Sequence, residues 1–229
     1  MRERLLRVPG TTREAIEVQL ALRDLVKTDL VVDTPGTVAG VDVAYIAGER
    51  ISVATVVVLR FSDLALVESV SAWLRTPFPY VPGLLGFREA PPVLEAWERL
   101  RLDPDMVFVD GHGRAHPRRF GVACHIGMLL RKPTVGIGKS RLCGCCQEPG
   151  PNRGERADLV DEGAVVGTVL RTRDHVKPLF VSVGYGISLE RCVEWTLKTT
   201  RGVRLPEPLR LADQASRKAR LDRVQRLPL

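Results

Sequence analysis

The chain has 229 residues, 45% of them hydrophobic, enough for one α/β domain with a sizeable core; this composition excludes a disordered or low-complexity polymer. Lys plus Arg exceed Asp plus Glu by 34 to 27, a net charge of +7, which makes a polyanion a candidate partner and leaves the fold open. No run approaches the roughly 18 apolar residues of a membrane helix, and the start, Met1-Arg2-Glu3-Arg4-Leu5-Leu6-Arg7, lacks a leader pattern. Five cysteines, with Cys143, Cys145 and Cys146 bunched, read as reduced thiols of a cytoplasmic protein rather than a disulfide framework. A zinc site there would need a second Cys/His pair at ligand spacing, and none stands nearby. Of the basic residues 28 are Arg and 6 Lys; Arg suits bidentate phosphate contacts, and a GC-rich coding bias gives the same excess.

Thr11-Thr12-Arg13-Glu14 reads as a capping box opening a helix with Ala15, Val18, Leu22 and Leu25 on one face. After a break at Asp33 to Gly36, the sequence predicts strands over Thr37–Tyr45, Ile51–Arg60 and Ala65–Trp73, joined by turns at Gly48-Glu49 and Ser62-Asp63. Connections this short make a three-stranded antiparallel meander. Thr76 to Gly83 is a Pro-rich loop carrying aromatics. A helix over Pro91–Leu100, a strand over Met106–Asp110, a helix over Arg118–Leu130 and a strand over Pro133–Ile137 follow, an alternation that implies a parallel portion of the same sheet. Residues 143 to 163, rich in Gly, Pro and charge, read as an exposed excursion. Val165–Leu170 and Leu179–Val183 look like a strand pair, and Ser188–Thr199 and Pro206–Arg220 like helices. Three antiparallel strands, then parallel strands alternating with helices on both faces, is the order of a ribonuclease H-like α/β fold, and no repeat or linker divides residues 1–229 into more than one domain.

The chemistry gathers at Met106-Val107-Phe108-Val109-Asp110-Gly111-His112-Gly113. A buried strand ends in a carboxylate, the sheet edge where open α/β folds place ligands. His112, His116, Arg118 and Arg119 are expected to crowd around that acid as a phosphate-handling site. Asp42 interrupts the apolar strand Gly40-Val41-Asp42-Val43-Ala44, and an in-strand Asp is paired or metal-bound because an unpaired buried charge is costly. In this fold order Asp42 and Asp110 sit on neighbouring strands about 5 Å apart. Their oxygen-only chemistry favours Mg²⁺, with Mn²⁺ able to substitute. Glu89, just ahead of the predicted helix, is able to reach the same centre or to serve as a helix-start acid. Asp213 is a fourth acid, equally readable as a solvated surface charge. Gly138-Lys139-Ser140 fails as a nucleotide-triphosphate loop, since Pro133 stands where the first Gly belongs and no helix follows, so Lys139 reads as a phosphate-stabilising charge or a surface Lys. Tyr80, braced by Pro79 and Pro82, is either a wedge for a base stack or a core aromatic. Residues 201–229 carry Arg and Lys over acids by 8 − 3 = +5, a polyanion track or a solvated helix.

Together these runs resemble the endonuclease V family. The resemblance rests on Val38-Ala39-Gly40-Val41-Asp42, Pro79-Tyr80-Val81-Pro82-Gly83-Leu84-Leu85, Phe87-Arg88-Glu89, Asp110-Gly111-His112-Gly113 and Ala115-His116-Pro117-Arg118-Arg119-Phe120-Gly121, with Lys139-Ser140-Arg141-Leu142, Pro178 to Gly184 and Arg204 to Pro208 after them. It implies a ribonuclease H-like fold and a Mg²⁺-dependent endonuclease that finds deoxyinosine in DNA and cuts the second phosphodiester 3′ to it, leaving 3′-hydroxyl and 5′-phosphate ends. It implies Asp42, Glu89, Asp110 and Lys139 as the catalytic centre, with Asp42, Asp110 and Asp213 toward metal. It implies Tyr80 as a strand-separating wedge; Gly83, Leu85, Gly111, His116 and Gly121 as the pocket for an extruded base; and Pro82 and Arg88 among the nucleic-acid contacts. The chain departs from the family pattern at Tyr185, where His is common, at Gly138, where Ala is more usual, and at Asp213, where some members carry His. The expected partner is deoxyinosine-containing DNA, met by a monomer with no membrane. The alternatives are an inosine-specific ribonuclease and a non-catalytic nucleic-acid binder.

Overall fold

The β-branched run from Ser52 to Leu59 is buried on both faces, as a strand must be when helices cover both sides of its sheet. In the computed structural model, which describes residues 2–29, 33–46 and 50–224, that run is the second strand of an eight-stranded sheet. The strands are β1 (Thr37–Tyr45), β2 (Ile51–Arg60), β3 (Leu66–Arg75), β4 (Met106–Asp110), β5 (Thr134–Gly138), β6 (Arg156–Asp161), β7 (Ala164–Leu170) and β8 (Leu179–Tyr185). Their order across the sheet is β3-β2-β1-β4-β5-β8-β7-β6. β1, β4 and β5 pair in parallel, and every other neighbouring pair is antiparallel. The meander and the mixed sheet are as expected, and β1, β2 and β4 begin and end where the pattern put them. The Gly48-Glu49 turn lies outside the described residues.

Helices α1 (Arg2–Leu6), α2 (Thr12–Leu22), α3 (Gly86–Trp97) and α4 (Val122–Leu130) contribute to the core on one face of the sheet, with Val41, Val107 and Val109. Helices α5 (Leu189–Lys198) and α6 (Glu207–Val224) cover the other, over Val38, Phe108 and Val135. Among the described residues no helix is long and apolar enough to cross a membrane.

Corrections fall on the end of α2, the starts of α3 and α4, and the 143–163 segment. α2 is capped by Thr11, whose Oγ1 accepts from the Glu14 N–H, but a 3₁₀ turn follows Leu22 and leaves Leu25 exposed. α3 begins at Gly86, so Pro91 and Pro92 lie inside it rather than at its first turn. Neither proline can donate to the carbonyl four residues back, and the burial of Ala90 and Val93 in the sheet's core and of Phe87 against Phe78 overrides that loss. α4 begins at Val122 instead of Arg118, because Arg119 takes a left-handed backbone at φ 57° that no helix continues through. The 143–163 segment is not all excursion. Its end forms edge strand β6, returned to β7 by a two-residue turn in which Glu162 (φ 52°) and Gly163 (φ 77°) both have positive φ, the hairpin turn whose twist suits its strands.

Helix α6 seats directly on β1. A Cβ built on Gly40 would stand 2.1 Å from the Pro208 carbonyl oxygen, so only glycine admits the first turn of α6 at that spot. Gly40→Ala is expected to lift α6 from the sheet and cost about 1–3 kcal/mol, as overpacking of a close-fitted contact does. Urea denaturation measures it, and an unchanged midpoint would show that α6 does not seat there.

Candidate active site

Val41 of β1 stands opposite Val109 of β4 in parallel register, so the next residues, Asp42 and Asp110, lie side by side where β4 ends. Val41 and Val43 pack toward α3 and α4, which by strand alternation turns Asp42 toward α6; there Ser216 Oγ donates to its Oδ2. Glu89 arrives from the first turn of α3 on the opposite face, and Tyr45 Oη donates to its Oε1 at 2.5 Å. It lies in the first turn of the helix rather than ahead of it, and it is buried, so it is a helix-start acid that also faces the acidic centre. The three acids line one cavity of about 200 Å³, walled by Val41, Val43, Val93, Val109 and Ile126. Lys139, just past β5, forms an ion pair with Asp110 Oδ2. Asp213 acts on Asp42 through space, but its carboxylate is engaged by Arg217 at 3.0 Å and does not line the cavity.

A second pocket, about 190 Å³, is lined by Tyr80, Pro82, Gly83, Leu85, Gly111, His116 and Gly121, every residue expected at a nucleic-acid site except Arg88, with His112 and the turn Ser140–Leu142 completing it. Arg88 instead lies over the Tyr45 ring, 4.1 Å from its centroid. Tyr80 is 66% exposed, which removes the core-packing reading. His116 is fully spoken for: its Nδ1 accepts from the Arg118 N–H at 3.1 Å and its Nε2 donates to the Gly83 carbonyl at 2.9 Å, which fixes the tautomer. Burial, and then the Arg118 guanidinium, push it down to about 4, so a neutral ring walls the pocket.

The expected ring of cationic groups about Asp110 is therefore corrected. Arg118 turns to Gly83 and Gln19, and Arg119, on its left-handed backbone, pairs with Asp161 at 2.5 Å and Glu162 at 3.1 Å. Of the group expected there, only His112 stays near the acid; it is hydrogen-bonded through Nε2 to the Ser140 carbonyl at 2.9 Å.

Comparison with known proteins settles the family. The family model for Endonuclease V matches residues 18–214. The Endonuclease V of Nostoc punctiforme is 46% identical over 207 residues, covering 90% of this chain and 94% of that protein. The chain belongs to the Endonuclease V family. Its structure superposes on the Streptomyces avermitilis Endonuclease V crystal structure with a TM-score of 0.90 at 42% identity, covering 95% and 96% of the two chains. A more distant Endonuclease V, from Ciona intestinalis, was crystallised with a 24mer DNA containing an inosine followed by a ribo-adenosine; it matches with a TM-score of 0.80 at 27% identity over 93% and 98% of the chains. This Endonuclease V family member is accordingly an endonuclease with a mixed α/β fold, and the acid cavity and the neighbouring pocket meet at the end of β4.

Two acids of this family member carry raised pKa values. Burial raises Asp42, opposed by the Ser216 hydrogen bond and reinforced by the charges of Asp110 and Asp213. Burial also pushes Glu89 up to about 8, opposed by the Tyr45 hydrogen bond and reinforced by Asp42 and Asp110. Clustered carboxylates of this kind suit a hard divalent cation. Among the described residues no three acidic, His or Cys side chains already converge as a ligand set.

Sequence reasoning missed Tyr45, Ser216 and Gln19, which hold the acids and the loop. Gly40 inside a strand was the available signal for Ser216, since an in-strand glycine marks close backbone approach, here of α6.

Because the folded chain keeps the Glu89 proton up to about pH 8 while the unfolded chain releases it near 4.5, its contribution to stability is complete below about pH 4.5 and is lost as pH rises through about 8. Metal-free protein is expected to lose urea resistance from about pH 5 to about pH 9, and Glu89→Gln to flatten that slope. Parallel slopes in the two proteins would mean that Glu89 is ionised throughout.

Proposed function

We propose that the protein is a Mg²⁺-dependent repair endonuclease that recognises deoxyinosine in DNA and hydrolyses the second phosphodiester bond 3′ to it, leaving 3′-hydroxyl and 5′-phosphate ends. The observation that carries the reading is continuity: Asp110 lines the acid cavity, and the next two residues, Gly111 and His112, line the second pocket. A nucleotide seated in that pocket has its own strand running over the acids. At about 190 Å³ the pocket falls below the roughly 300 Å³ at which drug-sized ligand sites begin, a size suited to one extruded base.

Asp42 and Asp110 would hold the ion, with Glu89 in the same acidic centre and Asp213 acting from behind Asp42. Bound there, Mg²⁺ or Mn²⁺ supplies a Lewis acid that lowers the pKa of an attacking water and neutralises charge on the phosphate. Ser216 holds Asp42 in its orientation and Tyr45 holds Glu89. Lys139, paired with Asp110 in the free protein, presents its ammonium to the phosphate oxygens. Metal affinity falls as pH falls, because the protons held by Asp42 and Glu89 must leave first. Extrusion costs less at an inosine pair than at a matched pair, and Tyr80, exposed on a proline-braced loop at the pocket, is placed to fill the gap in the stack. We place the enzyme in the cytoplasm, as one catalytic domain spanning 1–229 and acting as a monomer.

The Ciona complex, with a ribo-adenosine after its inosine, supports keeping inosine-containing RNA as the second substrate reading. Matched DNA and RNA duplexes with a single inosine, incised with and without EDTA and mapped at the nucleotide level, test both. Cleavage at the second 3′ bond of the DNA, abolished by EDTA, is the expected result; preferential cleavage of the RNA favours the second reading, and cleavage at another bond overturns the assignment. Asp110→Asn should lose incision by about a thousandfold or more while keeping lesion binding, and retained Mg²⁺-dependent incision would remove Asp110 from the metal site. Tyr80→Ala should weaken duplex binding by about tenfold, at the low end of what a stacking aromatic is worth, and single-strand binding less. Equal losses on the two substrates would refute the wedge.

A further inference from the structure

We infer that Gln19 of helix α2 is a positioning residue for recognition, fastening the Tyr80 loop through the Gly83 carbonyl. That oxygen accepts from three side chains: Gln19 Nε2 at 2.8 Å, His116 Nε2 at 2.9 Å and Arg118 Nη2 at 2.9 Å. A carbonyl offers two lone pairs, so this one is saturated. Gly83 holds φ +78°, which glycine alone adopts freely, and a Cβ there would meet the Arg118 guanidinium at 2.8 Å. Gln19 is 2% exposed and has its other bonds spent as well: Nε2 also donates to the Phe120 carbonyl at 2.9 Å, and Oε1 accepts from Arg118 Nε at 2.5 Å. The amide orientation is unambiguous, since a flip would set its oxygen against two carbonyls and its NH₂ against a guanidinium.

One side chain thus ties three pieces of chain together. Helix α2 contributes it; the loop that ends at Gly83 carries Tyr80; and Arg118 to Phe120 leads into Gly121 of the pocket wall. Below Tyr80 the loop is anchored by buried Phe78 and by a turn closed from the Leu84 N–H to the Val81 carbonyl at 2.9 Å. The exposed Tyr80 therefore rides on a base whose height and angle are set at Gly83. Gln19 lines neither cavity and bonds none of the acids, so its influence on the reaction runs through the loop.

This inference rests on the wedge reading of Tyr80, and the experiment separates the two. Gln19→Met keeps side-chain volume and deletes all of the Gln19 hydrogen bonds; Gln19→Glu keeps only the acceptor for Arg118. In the free protein, hydrogen exchange of residues 81–84 should quicken in both variants, a readout independent of any nuclease activity. With a deoxyinosine duplex, KM should rise about tenfold to a hundredfold for Gln19→Met and at least as much for Gln19→Glu, whose second carboxylate oxygen would face the Gly83 and Phe120 carbonyls, with kcat on single-stranded substrate held within about twofold. On a Tyr80→Ala background the Gln19→Met penalty should largely vanish, because both changes disable the same element. Unchanged exchange at 81–84, penalties that multiply on the Tyr80→Ala background, or equal losses of single-strand and duplex cleavage in both variants would each overturn the inference. Faster exchange together with a wild type that ignores deoxyinosine would leave the Gln19 clamp standing and remove the recognition reading.

Discussion

Two carboxylates one strand spacing apart, about 5 Å, repel by roughly 3 kcal/mol at an effective dielectric of about 20. Parallel pairing of β1 with β4 imposes that repulsion on Asp42 and Asp110, and the surroundings are arranged to contain it. Lys139 is set against Asp110, Ser216 against Asp42, and Glu89 joins them with its proton retained. The register that creates the strain is itself strongly fixed. Val38 and Phe108 pack on one face and Val41 and Val107 on the other, so a slip of one residue would exchange the side chains fitted to each layer of helices and turn Asp42 toward α3. The core holds the acids together at a cost that only a counter-charge relieves.

Beside this charged centre the pocket's buried histidine is kept neutral. His116 is held uncharged by burial and its tautomer is fixed by two backbone partners. Several guanidinium groups that composition alone would assign to a polyanion surface are spent on the protein's own backbone. Arg118 donates to the Gly83 carbonyl, Arg171 to the carbonyls of Pro149 and Gly150, and Arg204 to those of Lys139, Lys177 and Pro178. On α6, Arg210 and Arg217 pair with Glu207 and Asp213 within the helix. The net charge of +7 is thus weaker support for nucleic-acid binding than the site is, because planar forks that suit phosphates also suit loop carbonyls.

The central strands were legible and the starts of α3 and α4 were not, for the same physical reason. β1, β2 and β4 are continuous apolar runs whose burial on both faces leaves one reading, and Asp42 and Asp110 stood out as charges where charge is expensive. Helix α3 starts through Gly86 and runs over two prolines because of what it buries, and α4 starts late because Arg119 is held left-handed by partners on the β6–β7 hairpin. Tertiary contact decides both, and no local pattern carries it. The acids could therefore be named in advance, whereas Tyr45, Ser216 and Gln19, which aim the acids and the loop, could not: each is an ordinary residue until the element opposite it is in place.

The division between the two cavities also explains why their shared segment is so short. Had the acids and the pocket been joined by a flexible connection, seating a base would leave its phosphate free to wander, and orientation is worth more to such a reaction than any single contact. Here Asp110 closes a strand paired on both sides, Gly111 is hydrogen-bonded to the Ile137 carbonyl at 2.9 Å, and the Gly121 N–H bonds the Gly113 carbonyl at 3.0 Å. Rigid sheet edge runs into pocket wall without a hinge. On the far side the loop clamped at Gly83 carries Tyr80 into solvent, so on the proposed reading what the protein reads and where it would cut are held in one fixed relation.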